Sequence, residues 1–140
     1  MHSLRHILVG TDFSPCADAA LDAAIALAKL GSSRITLVHV CELSAAITGA
    51  AIDEEVIAGC RAHLEAELVR RAGCGVELAP LMRIGRPVEK INNAAAEVGA
   101  SLIVLGRWGA DRATELGSVT DRVLRTASRP VLIVCAKETV

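Results

Sequence analysis

Short apolar runs rich in β-branched residues alternate along this chain with longer segments that favour helices. Ile7-Leu8-Val9 and Leu102-Ile103-Val104-Leu105 are apolar throughout, which predicts strands that are covered on both faces. The first intervening segment is rich in alanine, and prolines and glycines punctuate the others as they do at helix ends. The resulting order, β-α-β-α-β-α-β-α-β, predicts an α/β fold with a single doubly wound parallel sheet and right-handed crossovers.

The element boundaries follow from caps and turns. The five predicted strands are Arg5–Gly10, Ile35–Val40, Val76–Ile84, Leu102–Leu105 and Val131–Val134. The third of these alternates more than the others, so we expect it near a sheet edge. Ser14 and Pro15 predict the start of the first helix, and Gly31 its end. Cys41–Gly49 is predicted to be a loop of small residues.

Length and composition exclude several classes of protein. At 140 residues the natural expectation is one domain, and 52% hydrophobic residues suffice for a real core. The net charge of −1 leaves no charged tail to recruit nucleic acid or a membrane surface. Phe13 and Trp108 are the only aromatic residues, so the stacking platform of a single-strand nucleic-acid binder is missing.

The N-terminal segment and the cysteines predict a cytoplasmic protein. Met1–Val9 lacks the anatomy of a signal peptide, and no apolar run approaches the ~18 residues of a membrane span. The five cysteines are odd in number, scattered and without a C-x-x-C motif, which favours reduced thiols.

Two Cys/His pairs are candidate metal ligands, and one further cysteine is a candidate for redox chemistry. His39 and Cys41 share a strand face, and Cys60 and His63 share a helix face. Each pair supplies only two ligands, so we predict no metal site. Cys16 lies in the first turn of a helix, where the dipole can lower a thiol pKa; a redox role and a plain helix residue are the alternatives.

The loops beyond the carboxyl ends of the strands are where an open α/β sheet binds ligands. They include Gly10-Thr11-Asp12, Cys41-Glu42, Gly106-Arg107-Trp108-Gly109 and Gly117-Ser118. Glycines let backbone amides approach an anion, and a helix start favours negative charge. The carboxylate of Asp12 is suited to accept hydrogen bonds from the hydroxyls of a ribose. Alternatively, the glycines only turn the chain, Asp12 is a turn residue, and Ser118 caps a helix in a Ser118-x-x-Asp121 box.

Motifs spread over nearly the whole chain resemble those of the universal stress protein family. They are Gly10-Thr11-Asp12-Phe13-Ser14, His39-Val40, Gly85-Arg86-Pro87, Leu105-Gly106, Gly117-Ser118-Val119 and Arg129-Pro130-Val131. The resemblance implies one such domain over residues 1–140, with a five-stranded parallel sheet of order 3-2-1-4-5 and helices on both faces. It also implies a homodimer, formed through the edge of the last strand.

Members of this family that bind ATP carry G-x2-G-x9-G-[S/T] after the fourth strand. Gly106-x2-Gly109 and Gly117-Ser118 match the two ends, but the spacer Ala110–Leu116 has seven residues instead of nine. The two missing residues can span about 6–7 Å of extended chain. Asp111 and Glu115 would repel phosphates in this loop, whereas Arg107 and Arg112 would offset them. Trp108 either covers a nucleotide or fills its pocket.

The resemblance assigns ligand contacts to particular positions of this chain. Asp12 would contact the ribose, Val40 would offer main-chain groups to adenine, and Ser118 and Val119 would close on the phosphates. The full set of predicted cofactor-binding residues is Thr11, Asp12, Val40, Gly106, Gly109, Gly117, Ser118 and Val119. The cofactor implied is ATP, with Mg²⁺ accompanying it when bound.

The last strand, Val131–Val134, would be an exposed apolar edge in a monomer. Such edges invite pairing, so a two-fold dimer through this strand is also expected on physical grounds. The alternative is that Lys137 and Glu138 blunt the edge of a monomer.

The sequence therefore predicts a stress-response regulatory module that binds an adenine nucleotide. The first alternative is a dimeric stress protein that binds no nucleotide and acts through protein partners. The second is a slow Mg²⁺-dependent ATPase. The chain has no G-x-S-x-G elbow, no H-E-x-x-H and no Walker lysine, so at most weak hydrolysis is expected.

Overall fold

The computed structural model describes residues 4–42, 47–48, 51–108 and 116–135. Its strands are β1 (His6–Gly10), β2 (Arg34–Glu42), β3 (Ile47–Thr48), β4 (Ala51–Ile52), β5 (Leu78–Gly85), β6 (Leu102–Gly106) and β7 (Val131–Val134). Its helices are α1 (Pro15–Gly31), α2 (Glu54–Arg70), α3 (Pro87–Val98) and α4 (Ser118–Thr126).

Five strands form one parallel sheet in the order β5-β2-β1-β6-β7. Counted along the chain, this is the predicted order 3-2-1-4-5, and the fold prediction is confirmed. β5 is the third of these five strands along the chain, and it lies at an edge of the sheet, as its alternating pattern predicted. The strand order reverses beside β1, so the carboxyl ends of β1 and β6 meet where such sheets bind ligands.

Helices cover both faces of the sheet. One core cluster joins Leu21 of α1 and Leu64 of α2 to Ile7 of β1. A second joins Ile91 of α3 and Val123 of α4 to Leu8 of β1. Ile7 and Leu8 belong to different clusters because successive side chains of a strand point to opposite faces. This explains why Ile7-Leu8-Val9 of β1 and Leu102-Ile103-Val104-Leu105 of β6 are apolar at every position.

The first helix begins as predicted and ends slightly differently. The Ser14 hydroxyl accepts the Ala17 N–H at 3.2 Å, with Pro15 in the first turn. Gly31 was expected at the left-handed position after the helix, but it is the last helical residue. Ser32 takes the left-handed conformation instead, with φ +53°. The Ser33 N–H donates to the Ala28 carbonyl at 2.9 Å, which closes the helix, and the next residue already pairs with β1 as β2 begins.

The prediction that Cys41–Gly49 is a loop is wrong at Cys41 and Glu42, which belong to β2, and at Ile47–Thr48, which is β3. β2 continues through Cys41 and Glu42 because its ladder with β5 runs from Ile35 to Glu42 without interruption. Beyond it, β3 and β4 form a two-residue antiparallel pair. The extension of β2 carries Glu42 to the carboxyl end of the sheet.

All five cysteines are free thiols. No helix within the described part of the chain is long and apolar enough to cross a membrane.

Candidate functional site

A cavity of about 400 Å³ opens at the carboxyl ends of β1, β2 and β6. It is lined by Gly10, Thr11, Asp12, Ala17, Val38, His39, Val40, Glu42, Pro87, Ile91, Leu105, Gly106, Trp108, Gly117, Ser118, Val119 and Thr120. Seven of the eight predicted site residues are among them. The eighth, Gly109, lies outside the described residues. The fold thus brings the predicted residues together, while their contacts with a ligand stay a prediction.

The loop between β1 and α1 is held by its own side chains. The Thr11 hydroxyl accepts the Phe13 N–H at 2.9 Å, and Asp12 Oδ1 accepts the Ser14 N–H at 3.0 Å. Phe13 between them has φ +66°, a conformation that these bonds stabilise. Asp12 is therefore a turn residue through Oδ1. Its Oδ2 has no partner within the described chain and remains available to a ligand.

Two histidines contact this loop, one through a hydrogen bond and both through the ring of Phe13. His39 Nδ1 donates to the Thr11 carbonyl at 2.8 Å, because a carbonyl oxygen can only accept. The Phe13 ring lies 4.4 Å from the His39 ring and stacks on His63 of α2 at 4.0 Å. The sequence suggested His63 only as half of a metal pair, and His39 as half of another pair and as part of a family motif. In the described residues no three His, Cys, Asp or Glu side chains are grouped to hold a metal ion.

The start of α4 is tied to the end of β6. The Thr120 hydroxyl donates to the Gly106 carbonyl at 2.8 Å, and the Gly117 N–H donates to the Arg107 carbonyl at 2.9 Å. Gly117 is the N-cap, so the predicted capping box led by Ser118 is wrong. The helix starts one residue earlier because the Gly117 carbonyl already accepts the Asp121 N–H at 2.8 Å. The Ser118 hydroxyl makes no hydrogen bond within the described chain.

Gly106 has a packing role that its position in the motif did not reveal. A Cβ atom at Gly106 would lie 2.8 Å from the backbone carbon and oxygen of Cys16. Only glycine therefore lets the first turn of α1 close on β6. The Cys16 side chain is buried there, and its thiol donates to the Val134 carbonyl at 3.9 Å. This burial favours the plain helix residue over the redox role.

Trp108 lies in the wall of the cavity, with the guanidinium carbon of Arg107 4.6 Å from its ring centroid. A cation at this distance is attracted by the electron-rich face of the indole. The cavity keeps its volume of about 400 Å³ with Trp108 in its wall, so the indole does not fill it completely.

The charges around the cavity are mostly negative. Its described lining contains Asp12, Glu42 and His39, and no lysine or arginine. Cys41, next to Glu42, has its thiol pKa raised to about 11 by burial, by a hydrogen bond with Cys60 and by the nearby carboxylate of Glu42. That thiol is therefore neutral at physiological pH.

A second depression, of about 570 Å³, continues from the first. The two share Glu42, Pro87, Ser118 and Val119. The second one adds three charged side chains, Arg86, Glu89 and Arg122. With Glu42 included, its formal charges cancel.

The sequence profile of the universal stress protein family matches residues 3–134. The chain belongs to this family. Universal stress protein YxiE of Bacillus subtilis is 33% identical over 143 residues, covering 91% of this chain and 97% of YxiE. Membership confirms the resemblance inferred from the motifs.

Solved structures of the family share the fold. Universal stress protein UspA from Lactobacillus plantarum superposes with a TM-score of 0.83 at 25% identity, covering 96% of this chain and 99% of that protein. A universal stress protein solved in complex with cAMP superposes with a TM-score of 0.75 at 26% identity, covering 96% and 98%.

Proposed function

We propose that this protein is a stress-response regulatory module that binds an adenine nucleotide, the family motif implying ATP. The observation that carries the proposal is the cavity at the switch point of the sheet, which joins Asp12, Val40, Gly106 and the start of α4. A relative at 26% identity has been solved with cAMP, which supports the same class of ligand.

The adenine end of the cavity is apolar. Val38, Val40, Ile91 and Leu105 contribute to its wall, as is usual for a site that holds a flat heterocycle. The Val38 carbonyl accepts the Thr11 N–H at 2.9 Å. Backbone groups of a strand alternate between its two sides, so those of Val40 face the same side, beyond the end of β1. Among the described residues no backbone bond from a loop reaches them, so they can bond the edge of an adenine ring.

The polar end of the cavity suits a ribose and a phosphate. Asp12 Oδ2 is an acceptor for ribose hydroxyls. The first turn of α4 offers backbone N–H groups, and the Ser118 hydroxyl adds a donor. Mg²⁺ would be held by the phosphates themselves, since the described residues offer no cluster of protein ligands for it.

Calorimetric titration of ATP with Mg²⁺ into the protein tests this proposal, with Trp108 fluorescence followed in parallel. Trp108 is the only tryptophan and the chain has no tyrosine, so its emission reports on the cavity wall. We expect saturable heat, and roughly ten- to hundredfold weaker binding in Asp12→Ala, because a charged hydrogen bond is lost. Asp22→Ala, an exposed carboxylate of α1 outside the cavity, is the matched control and should bind normally.

The alternatives have distinct outcomes in the same experiment. Absence of heat with ATP, ADP and AMP up to about millimolar concentration would overturn nucleotide binding and favour the module that acts through protein partners. Release of phosphate from ATP that requires Mg²⁺ would favour the slow ATPase.

We also propose that the protein forms a homodimer through β7. This strand lies at the edge of the sheet, and Leu132 on it is 37% exposed. An apolar strand edge is a ready template for a second copy. Sedimentation should give a dimer for the native chain and a monomer for Leu132→Lys; an unchanged dimer in that variant would place the interface elsewhere. Circular dichroism of Leu132→Lys would check that the fold is retained.

A further inference from the structure

The charge around the nucleotide cavity is unusual for a site expected to hold a triphosphate. Its described wall carries the two carboxylates of Asp12 and Glu42 and no Lys or Arg side chain. The described wall offers a phosphate the start of α4, equivalent to about half a positive charge. Arg107 does not line the cavity, but its guanidinium lies against the Trp108 ring of the wall.

We propose that Glu42 is a specificity-determining residue that makes the cavity favour an adenine ligand with one phosphate over ADP and ATP. This inference rests on the proposed function. Glu42 ends β2 and belongs to the wall of both the cavity and the adjoining depression. Ser118 and Val119, which would close on the phosphates, line the same two depressions as Glu42, so a phosphate chain that extends from the cavity into the adjoining depression passes this carboxylate.

The magnitude follows from Coulomb's law. Each phosphate beyond the first adds about one negative charge to the ligand. Two like charges about 4–8 Å apart in a water-like dielectric change an affinity roughly two- to sixfold. Two further phosphates against two fixed carboxylates should therefore make ATP bind about tenfold or more weakly than AMP without Mg²⁺.

The adjoining depression does not reverse this preference. Arg86 and Arg122 would attract distal phosphates, but Glu42 and Glu89 line the same space. The two positive and two negative charges cancel, so a distal phosphate gains no net attraction there. The volume of the cavity, about 400 Å³, is also near the small end of the range of ligand sites, about 300–1,000 Å³.

The test is a calorimetric comparison of AMP, ADP and ATP without Mg²⁺, using the native chain, Glu42→Gln and Glu97→Gln. Glu42→Gln removes one charge and keeps the shape, so the preference for AMP over ADP should shrink roughly two- to sixfold, and the preference for AMP over ATP, which has two further phosphates, about fourfold or more. Glu97, at the far end of α3, lines neither depression. Its variant should keep the native preference, which makes it the matched control.

Ionic strength supplies an independent readout. The distance over which charges interact falls from about 10 Å at 0.1 M salt to about 3 Å at 1 M. The ratio of AMP affinity to ATP affinity should therefore decrease as salt is added. ATP that binds as tightly as AMP in the native chain, or a preference that Glu42→Gln leaves unchanged, would overturn the inference. If none of the three nucleotides binds, the proposed function itself has failed, which is a different result.

Discussion

The two ends of the parallel sheet each carry a depression, and the two differ in size and charge. At the amino end it is the larger, about 780 Å³, and its charged lining residues are Arg5, Lys29, Arg34 and Glu77, with a net positive charge. At the carboxyl end the cavity is about 400 Å³, and Asp12 and Glu42 are its charged side chains apart from His39. Neither size nor positive charge therefore identifies the site that the family motif builds.

Hydrogen bonding separates the two ends more clearly. At the amino end, the Arg34 N–H donates to the Arg5 carbonyl at 3.1 Å, and the Ser101 N–H donates to the His6 carbonyl at 2.7 Å. His6 Nε2 and the Thr36 hydroxyl are bonded to each other at 2.6 Å, and both residues are buried. At the carboxyl end, Asp12 Oδ2 and the Ser118 hydroxyl have no partner in the described chain. At the amino end these groups bond one another, and His6 Nδ1, which has no partner in the described chain, is buried out of reach of a ligand. At the carboxyl end the groups without a partner line the cavity.

The largest effect expected from this difference is at Gly106. Gly106→Ala would set a methyl group 2.8 Å from the backbone of Cys16, which cannot move away without displacing α1. We expect a loss of about 1–3 kcal/mol in the free energy of unfolding from overpacking. We also expect nucleotide binding to weaken at least about tenfold, since Asp12 lies in the loop that leads into α1. Urea unfolding and calorimetry measure the two effects.

A glycine away from the cavity supplies the control. Gly99 follows α3 with φ +64°, and a Cβ there would have no neighbour within 4 Å. Gly99→Ala should cost about 1–2 kcal/mol from backbone strain alone and leave nucleotide binding intact. Normal binding in Gly106→Ala would contradict the role assigned to the close approach of α1 and β6.

A smaller effect is expected at the amino end, in the pH dependence of stability. Burial and the nearby charge of Arg34 lower the pKa of His6 below its usual 6.5, although the Val98 carbonyl and Glu77 oppose the shift. The unfolded chain therefore takes up the proton first as pH falls. The contribution of His6 to stability is complete above about pH 6.5 and is lost as pH falls through that value toward the folded-state pKa.

Urea midpoints at about pH 7.5 and about pH 5.5 measure this loss. The native chain should lose more stability between these pH values than His6→Gln, in which the titrating group is absent. An equal loss in both proteins would assign the pH dependence to titrating groups other than His6.

Much of the fold was predictable because it depends on local patterns. The apolar runs identified β1, β6 and β7, and Ser14 with Pro15 located the start of α1. The strand order came from the family motifs rather than from the runs themselves. Details that depend on neighbouring segments were missed: the β3–β4 pair, Ser32 at the left-handed position and Gly117 as N-cap.

The candidate site was predictable to a similar degree. Seven predicted residues reach one cavity because the carboxyl ends of parallel strands meet at one edge of the sheet. The stack of Phe13 between His39 and His63 was not predictable, since it requires α2 to pack against a loop about fifty positions away in the chain. The sequence shows that Phe13 follows Asp12, but it does not show which side chains the Phe13 ring packs against.

The sequence by itself determined the parallel α/β architecture, because the hydrophobic period of each segment is a property of that segment. Only the tertiary structure decided which charges share the cavity. Glu42 reaches it because β2 pairs with β5 as far as Gly85, and Arg34 stays away because it begins the same strand at the opposite end. Which charged side chains lie close together depends on distances between segments that are far apart in the chain, and the pairing of the strands sets those distances.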